Sequence, residues 1–406
     1  MPHHFSSRLG WPAPDNALAR LKAARAAAGL PILDFSASNP TRVGLSHTRE
    51  TEAAALLSPW LDAANLRYTP DPRGLLRARE ALAAFYAASA RGPSLSPADF
   101  FLCASTSEAY GLLFKLLCES GDAVLVPKPG YPLFDFLAGL EAVEARPYRL
   151  DYFHPAGWRI DLDSVEAALE AGRARALVLI NPNNPTGSYV RDGEREALVE
   201  LCERHGAALI CDEVFFPFGL EAQETASFLG EERVLTFTLD GLSKLAGLPQ
   251  AKLGWIAVSG PAADKAEAEG RLEIIADTYL SAGTPVMNAL GALLEASAAF
   301  RAELGSRLAA NLAALRAALE GGDSPHRVLR CDGGWTALIE SPRLEGEEEL
   351  AAGLLTERGL YSQPGYFFDM EKEAYFTASL ILPPADLAAG AREYRDFFRE
   401  RMGDPA

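Results

Sequence analysis

Residues 241–255, GLSKLAGLPQAKLGW, are the stretch that decides the fold. They follow residues 234–239, VLTFTL, whose β-branched and apolar side chains are typical of a buried strand. Lys244 therefore stands in a turn of small residues just after a strand, where a rigid base can direct its amine into a cleft. An amine held in this way can attack a carbonyl and form a Schiff base. The competing interpretation is an ordinary solvated lysine, and the rest of the chain has to decide between the two.

Length and composition restrict the classes of protein that this chain can represent. At 406 residues it is too long for one small core and fits two domains, or one large domain with a smaller companion. A net charge of −17 argues against a nucleic-acid partner, because no dense basic stripe is available for phosphates. No apolar run reaches the roughly 18 residues that a transmembrane helix needs, so we expect no membrane partner.

The cysteines and the N-terminal residues indicate the cellular compartment in which we expect the protein. Five cysteines are scattered without a C-x-x-C pair, which argues against a disulfide scaffold and suits a reducing cytoplasm. The first 30 residues contain Arg8, Arg20 and Arg25 and little acid, as in a transit peptide. We prefer an amphipathic helix over residues 16–28, because no cleavage-like region follows.

From residue 100 onward, apolar strands alternate with amphipathic helices. The strands are predicted at residues 100–104, 123–126, 177–180 and 207–211, followed by the strand that precedes Lys244. This alternation predicts an α/β fold with a parallel sheet that is buried on both faces. Beyond residue 285 the sequence is rich in Ala and Leu to about residue 320, which predicts a long helix suited to joining two domains.

Polar residues follow the predicted strands at the point where each one ends. Ligands bind at the carboxyl ends of the strands in open parallel sheets, so these residues should converge on one site. The convergence favours the functional interpretation of Lys244. The residues concerned are Ser105, Thr106, Ser107, Asn181, Asn184, Asp212 and Lys244.

Each of these residues also has a structural interpretation. Ser105–Glu108 opens a helix, where backbone N–H groups can bind an anion, although the spacing also matches a capping box. Asp212 can keep a pyridine nitrogen protonated, or it can cap the next helix. Asn184 can donate to a phenolate oxygen or serve as a turn residue, and Tyr131 can stack on an aromatic ring or pack in the core. Together they match what pyridoxal 5'-phosphate (PLP) requires of a protein.

In this order, the motifs resemble the class I/II aminotransferases of PLP fold type I, the aspartate aminotransferase-like family. The resemblance runs from about residue 31 to the C-terminus. It implies a large PLP-binding domain over residues 45–285, with a mostly parallel seven-stranded sheet flanked by helices. A smaller α+β domain would combine residues 1–44 and 286–406, joined by the helix near 286–320. The motifs are residues 68–74, STSE at 105–108, GD at 121–122, PGYP at 129–132, NPNNPTG at 181–187, DEV at 212–214 and SKLAGLP at 243–249.

The resemblance also implies roles for individual residues. Lys244 resembles the lysine that forms the internal aldimine with PLP and shuttles the proton, Asp212 the pyridinium partner, Asn184 the phenolate contact and Tyr131 the stacking aromatic. Tyr68 matches a tyrosine that reaches the phosphate of the neighbouring subunit, which implies a homodimer with shared active sites. The phosphate itself would be held by Ser105, Thr106, Ser107, Ser243 and Lys252.

Three positions depart from the family pattern. Phe215 stands where the family has a tyrosine hydroxyl near the phenolate oxygen. Lys252 replaces an arginine and loses its bidentate fork. Thr377 stands where the family has the arginine that clamps the substrate α-carboxylate. Asn39 and Arg42, on a loop that resembles the family's substrate lip, are the candidates for a replacement; Arg42 has a solvated loop arginine as its alternative.

The resemblance implies an aminotransferase that moves an amino group from an amino acid to a 2-oxo acid. Thr377 keeps a second hypothesis open, which is other PLP chemistry on this fold: a C–S or β-lyase, a decarboxylase or an amine-processing enzyme. A PLP-sensing regulator would need a basic DNA-binding head before residue 30, and we expect none. No metal ligands are predicted. An apolar or aromatic substrate pocket could be lined by residues that are equally plausible in the core: Phe218, Trp335, Tyr366 and Phe367.

Overall fold

The computed structural model describes residues 3–9, 16–48, 57–89, 91–280, 282–322 and 324–403. Its strands fall into one large sheet, called the central sheet below, and two small ones. In chain order they are β1 (Leu33–Asp34), β2 (Phe100–Cys103), β3 (Ala123–Lys128), β4 (Glu144–Phe153), β5 (Gly157–Ile160), β6 (Ala174–Ile180), β7 (Ala208–Asp212), β8 (Thr236–Gly241), β9 (Gly254–Ser259), β10 (Arg327–Val328), β11 (Thr336–Glu340), β12 (Leu360–Tyr361) and β13 (Tyr375–Ser379).

Among the described residues the central sheet has eight strands, in the order β2-β9-β8-β7-β6-β3-β4-β5. The pairings between β8, β7, β6, β3 and β4 are all parallel, whereas β9 and β5 pair antiparallel with their neighbours. The predicted α/β fold with a mostly parallel sheet is therefore confirmed. The predicted count of seven strands is wrong, because β5 folds back on β4 as a short hairpin and adds an edge strand.

Helices cover both faces of the central sheet. Along β3, Val124 and Val126 pack into one apolar cluster while Leu125 packs into another on the opposite face. Both faces are buried, which explains why the strands are continuous apolar runs. The helices of the described residues are α1 (Ala17–Ala27), α2 (Leu76–Ala87), α3 (Thr106–Leu117), α4 (Phe134–Leu140), α5 (Leu162–Glu170), α6 (Asp192–His205), α7 (Leu242–Leu245), α8 (Ala262–Tyr279), α9 (Thr284–Leu319), α10 (Glu347–Arg358) and α11 (Pro384–Arg401).

The second half of the chain adds a smaller α+β unit. Strands β10, β11 and β13 form an antiparallel sheet, and β1 pairs parallel with β12, so a segment near the N-terminus joins this unit. Helix α9 places Leu290 in the apolar cluster with α2, and Leu304 and Leu312 in the cluster of the smaller unit. The long helix thus connects the two cores. The proposed domain limits, 45–285 against 1–44 with 286–406, remain a prediction.

None of the helices in the described part of the chain combines the length and apolar character that a membrane span requires.

Two helical glycines offer a matched test of the packing in the smaller unit. A Cβ on Gly390 of α11 would lie 2.2 Å from Cε1 of the buried Phe35 ring, whereas one on Gly270 of α8 would meet nothing within 4 Å. We expect Gly390→Ala to lower the free energy of unfolding by about 1–3 kcal/mol, because the ring must move. Gly270→Ala should raise it by up to about 1 kcal/mol. Urea unfolding measures both, and equal effects would contradict this packing.

Candidate active site

Four strands of the central sheet deliver the predicted site residues to one edge. Strands β2, β6, β7 and β8 run in the same direction, so their carboxyl ends lie on the same side of the sheet. Asp212 is the last residue of β7 and lies in register with Ile180 of β6 and Leu239 of β8. Helix α7, which carries Lys244, begins directly after β8.

Asp212 is buried at the end of β7. One carboxylate oxygen accepts a hydrogen bond from the Tyr110 hydroxyl at 3.1 Å, and the other accepts from the Val214 N–H at 3.2 Å. Burial raises the pKa of Asp212 to about 7, although the charge on Lys244 acts in the opposite direction. Among the ion pairs of the described residues, none includes Asp212. Its carboxylate is therefore held by neutral donors in a place that favours an added cation.

The Lys244 amine lies beside the rings of Phe215 and Trp335, whose centroids are 5.4 Å from each other. Its Nζ is 5.0 Å from the centroid of Trp335 and 5.4 Å from that of Phe215. Burial lowers the pKa of Lys244, and the negative charge of Asp212 partly opposes this shift. A lowered pKa increases the fraction of neutral amine, which is the nucleophilic form.

A network of buried charges underlies this edge of the sheet. Arg91 donates to Glu213 Oε2 at 2.6 Å and to Asp240 Oδ2 at 3.1 Å, and both carboxylates are fully buried. Asp240 also accepts from the Tyr86 hydroxyl, which in turn accepts from the indole N–H of Trp255. Through Arg91, the network connects Glu213, which follows Asp212, to Asp240 of β8, the strand that precedes Lys244.

Sequence reasoning missed Arg91 and Tyr110. The available signal was indirect: Glu213 and Asp240 are charged residues at the ends of apolar strands, and a buried carboxylate needs a partner. Nothing in the local pattern showed that the partner would be Arg91, which lies 122 and 149 positions away from the two carboxylates.

The N-terminus of α3 forms another part of the site. The Ser105 hydroxyl accepts from the Glu108 N–H at 3.1 Å, and the Glu108 carboxylate accepts from the Ala104 N–H at 2.6 Å. Ser105 therefore caps the helix, but Glu108 accepts from Ala104 and not from Ser105, so the predicted capping box is formed only in part. A Cβ on Gly254 of β9 would lie 3.3 Å from the Thr106 nitrogen, so glycine lets the strand pass closely under the helix start. The first turn of α3 still presents the kind of N–H groups that bind anions.

Tyr131 and Asn184 lie beside this edge. Tyr131 is 44% exposed; partial burial raises its pKa, and the negative charge of Asp212 adds to the shift. In the Asn-Pro loop, the side chains of Asn181 and Asn183 hold the loop itself through hydrogen bonds to Val190 and Thr186. Asn184 is only partly buried, and no such bond occupies it among the described contacts.

The remaining predicted residues are placed differently. Ser243 lies next to Lys244 in α7, while Lys252 is exposed with a positive φ of 53°. Asn39 accepts from the Thr41 N–H and hydroxyl, as a turn residue does. Arg42 is exposed and lines a cavity of about 460 Å³, whose lining includes neither Lys244 nor Asp212 nor Asn184.

Two predicted positions, Thr377 and Tyr68, have no role within this chain that the structure shows. Thr377 is buried in β13, and its hydroxyl donates to the Gln363 carbonyl at 3.4 Å. It therefore offers no charge to a carboxylate. Tyr68 is 76% exposed on the surface of the chain.

Comparisons with known proteins agree with this geometry. A sequence model described as "Aminotransferase class I and II" matches residues 31–385. The glutamate-pyruvate aminotransferase AlaA of Escherichia coli is 32% identical over 225 residues, which are 54% of each chain. An alanine aminotransferase of Mycobacterium tuberculosis is 28% identical over 54% of this chain and 51% of its own. The chain thus spans about half the length of the curated relatives it matches.

A solved structure extends the likeness over the whole fold. The alanine aminotransferase from Pyrococcus furiosus superposes with a TM-score of 0.86 and covers 98% of this chain and 100% of its own. Its sequence identity is 21%, so this likeness concerns the fold.

The cofactor of this family and fold is PLP, and the residues present fit it. PLP carries a ring nitrogen that binds a proton, a phosphate and an aldehyde. The edge of the sheet offers a buried carboxylate with neutral donors, a helix start that packs against Gly254, and an amine whose pKa is lowered by burial. Each of these three features matches one of the three chemical groups.

Removal of the Asp212 charge should change how stability depends on pH. Its native pKa of about 7 exceeds the unfolded value, so the native state binds more protons between about pH 4 and pH 7. Stability of the cofactor-stripped protein should therefore fall as pH rises through this window, by an Asp212 contribution on the order of 4 kcal/mol. In Asp212→Asn this contribution should vanish.

Urea unfolding at a series of pH values measures the effect. The exposed Asp163 on α5 provides the control substitution, and Asp163→Asn should keep the wild-type pH profile. An unchanged profile in Asp212→Asn would show that this carboxyl titrates normally.

Proposed function

Because this chain belongs to the class I and II aminotransferase family, we propose that it is a PLP-dependent enzyme that moves an amino group from an amino acid to a 2-oxo acid. The observation that carries the proposal is that a buried carboxylate and a partly buried amine lie at adjacent strand ends. Asp212 is a carboxylate without a direct cationic partner among the described ion pairs, and Lys244 is an amine whose pKa is lowered. Transamination requires both groups in one site.

The residues of the strand ends would bind the cofactor. Asp212 would hold the ring nitrogen in its protonated form, with Tyr110 keeping the carboxylate oriented. Asn184 would donate to the ring hydroxyl, and Tyr131 would stack on the ring. When bound, PLP supplies an aldehyde that amines attack and a ring that withdraws electrons from the bond to be broken. The phosphate would be bound by Ser105, Thr106, Ser107, Ser243 and Lys252.

Lys244 would move the proton. Its Nζ would hold the cofactor and, once released by an incoming amino acid, would take a proton from the substrate α-carbon and return it to the neighbouring cofactor carbon. The lowered pKa of Lys244 favours this role, since a general base must be neutral before it accepts a proton. The rings of Phe215 and Trp335 form an apolar wall on one side of the amine.

Substrate recognition must differ from the family pattern. Thr377 supplies no positive charge to the α-carboxylate, so another group has to bind it. Arg42 and Asn39 remain the proposed residues, although Arg42 lines a separate cavity in this structure and would have to move toward the substrate. The names of the curated relatives make glutamate with pyruvate the first pair of substrates to test.

Replacement of Lys244 tests the reaction. The wild-type protein should transfer the amino group from one member of an amino acid panel to a 2-oxo acid, and borohydride should fix the cofactor to the protein. Lys244→Ala should lose the fixed cofactor in a mass spectrum and lower turnover by at least about a thousandfold. Lys252→Ala changes a lysine eight positions later. Borohydride should still fix the cofactor to this variant, although the variant should bind the unreduced cofactor less tightly than the wild type does.

Two outcomes would contradict the proposal. A fixed cofactor and unchanged turnover in Lys244→Ala would assign the chemistry to another group. Release of ammonia, thiol or carbon dioxide without an added 2-oxo acid would instead indicate a lyase or decarboxylase, the reaction class that Thr377 leaves room for.

We also propose that the enzyme is a homodimer in the cytoplasm. An apolar surface extends along residues 57–76, where Leu61, Leu66 and Tyr68 are between 76% and 89% exposed. Tyr279 and Leu280, at the end of α8, are also exposed, and Leu280 lines a small cavity together with Tyr68. A large exposed apolar surface is typical of an interface, and a second copy would place Tyr68 near a neighbouring site. The five free cysteines suit a reducing compartment.

A charge placed in this surface tests the dimer. Sedimentation should show a dimer for the wild type at micromolar concentration, and Leu66→Glu should raise the dimer dissociation constant by at least about a hundredfold. Leu344→Glu changes a leucine that is 41% exposed elsewhere and should leave the dimer intact. A monomeric wild type, or equal effects of the two substitutions, would contradict this interface.

A further inference from the structure

The turn that carries Lys244 is held from outside the central sheet by a histidine of the N-terminal part of the chain. This turn, residues 242–248, follows β8 and is called the lysine turn below. The N–H groups of residues 246–248 donate to carbonyl groups of the turn itself at 3.0–3.3 Å. The Gly247 carbonyl has its partner 200 positions away, where Nε2 of His47 lies 2.9 Å from it.

Gly247 leaves no space between the lysine turn and its neighbours. Its φ is 66°, in the left-handed region that favours glycine. A Cβ at this position would lie 2.5 Å from Cε2 of Phe300 and 2.7 Å from Nε2 of His47. The ring of His47 packs on that of Phe300, with the centroids 4.5 Å apart. The backbone of the lysine turn is therefore in direct contact with a side chain of α9 and with His47.

The contacts of His47 define the form of its ring. A carbonyl oxygen only accepts, so Nε2 carries the hydrogen and donates it to Gly247. Nδ1 is buried and has no hydrogen-bond partner among the described residues. A hydrogen on Nδ1 would be a buried donor without an acceptor, which is costly, so the ring is held neutral. Burial lowers the pKa of His47 accordingly, although the charge of Glu303 acts in the opposite direction.

The backbone beside His47 is fixed to α9. Ser46, the preceding residue, donates its N–H to the Glu303 carboxylate at 2.9 Å, and its hydroxyl donates to the same carboxylate. The Val43 carbonyl accepts from Nη1 of Arg307 at 2.6 Å. Two side chains of a 36-residue helix thus support the segment, and this segment presents the His47 ring to the lysine turn.

A chain of aromatic rings leads from His47 to the amine of Lys244. Phe300, on which His47 packs, contacts Phe218 with the centroids 6.4 Å apart. Phe218 contacts Trp335 at 5.3 Å, and the Trp335 centroid lies 5.0 Å from Nζ of Lys244. His47 therefore contacts the backbone of the lysine turn directly, and it contacts the lysine side chain through three rings.

We propose that His47 is a positioning residue for Lys244. Its hydrogen bond to Gly247 fixes the carboxyl end of the lysine turn and keeps the amine where the reaction requires it. The amine has to reach the cofactor and then the substrate α-carbon, and a misplacement on the order of 1 Å costs about a hundredfold in rate. This role rests on the proposed function, which assigns the proton transfer to Lys244.

Two substitutions separate the hydrogen bond from the packing of the ring. His47→Leu keeps an apolar side chain and removes the donor, whereas His47→Gln keeps an N–H at a similar reach. Hydrogen exchange of residues 246–248 in the PLP-loaded protein measures the lysine turn. We expect exchange about fivefold faster in His47→Leu, because the turn loses a hydrogen bond, and near the wild-type rate in His47→Gln. His154→Leu changes an exposed histidine between β4 and β5 and should leave the exchange unchanged.

Steady-state kinetics test what the contact does for the reaction. His47→Leu should lower kcat by at least about fivefold and leave the KM of the amino acid within about twofold, since the amine acts after the substrate has bound. His47→Gln should restore most of kcat, because it restores the donor. A residue that only stabilised the fold would not produce this division between kcat and KM.

Three results would overturn the proposal. The first is equal exchange in the wild type and in His47→Leu, and the second is faster exchange with an unchanged kcat. The third is fast exchange in both variants, which would assign the contact to ring packing. The proposed function fails separately: a protein that transaminates no amino acid refutes the reaction, while the exchange rates still decide whether His47 holds the lysine turn.

Discussion

The ion pairs of Arg91 are the interaction on which the edge of the central sheet depends. Its guanidinium joins the fully buried carboxylates of Glu213 and Asp240, which follow β7 and lie near the end of β8. Loss of one partner from a buried ion pair costs about 3–5 kcal/mol, because the remaining charge stays buried and unpaired. The spacing between Asp212 and Lys244 is therefore maintained by a cation from outside both strands.

The same network sets the electrostatics of the site. Arg91 faces two carboxylates, and the negative charge of one of them, Asp240, is among the causes that raise the pKa of Asp212. Such a site gains free energy when a cation enters beside Asp212. The protonated ring nitrogen of PLP is a cation of this kind. Lys244 does not take this place, because burial lowers its pKa and favours its neutral form. The buried charges of Arg91, Glu213 and Asp240 and the binding of a cationic cofactor ring are thus explained by the same negative charge beside Asp212.

Of the three departures from the family pattern, Phe215 and Lys252 lie where the resemblance places the cofactor, and Thr377 lies on the substrate side. Phe215 packs beside Lys244 and Thr377 bonds to the backbone of Gln363, so both positions are filled by groups that bring no charge. The cofactor side keeps its carboxylate, its lysine and its helix start. The groups that would bind the ring nitrogen, the aldehyde and the phosphate are retained, whereas the charge for the substrate carboxylate is lost, which is why the cofactor is easier to assign than the amino acid that reacts with it.

The amino-acid sequence by itself determined the strands β2, β3, β6, β7 and β8, the long helix α9 and the residues at the strand ends, because hydrophobic periodicity and turn residues are local properties. It determined that Asp212 and Lys244 share one edge, since parallel strands end on the same side. Only the tertiary structure decided the partners of those residues. Tyr110 reaches Asp212 across 102 positions and Arg91 reaches Asp240 across 149, and no local pattern records such contacts. The eighth strand and the separate cavity of Arg42 likewise follow from how distant segments pack.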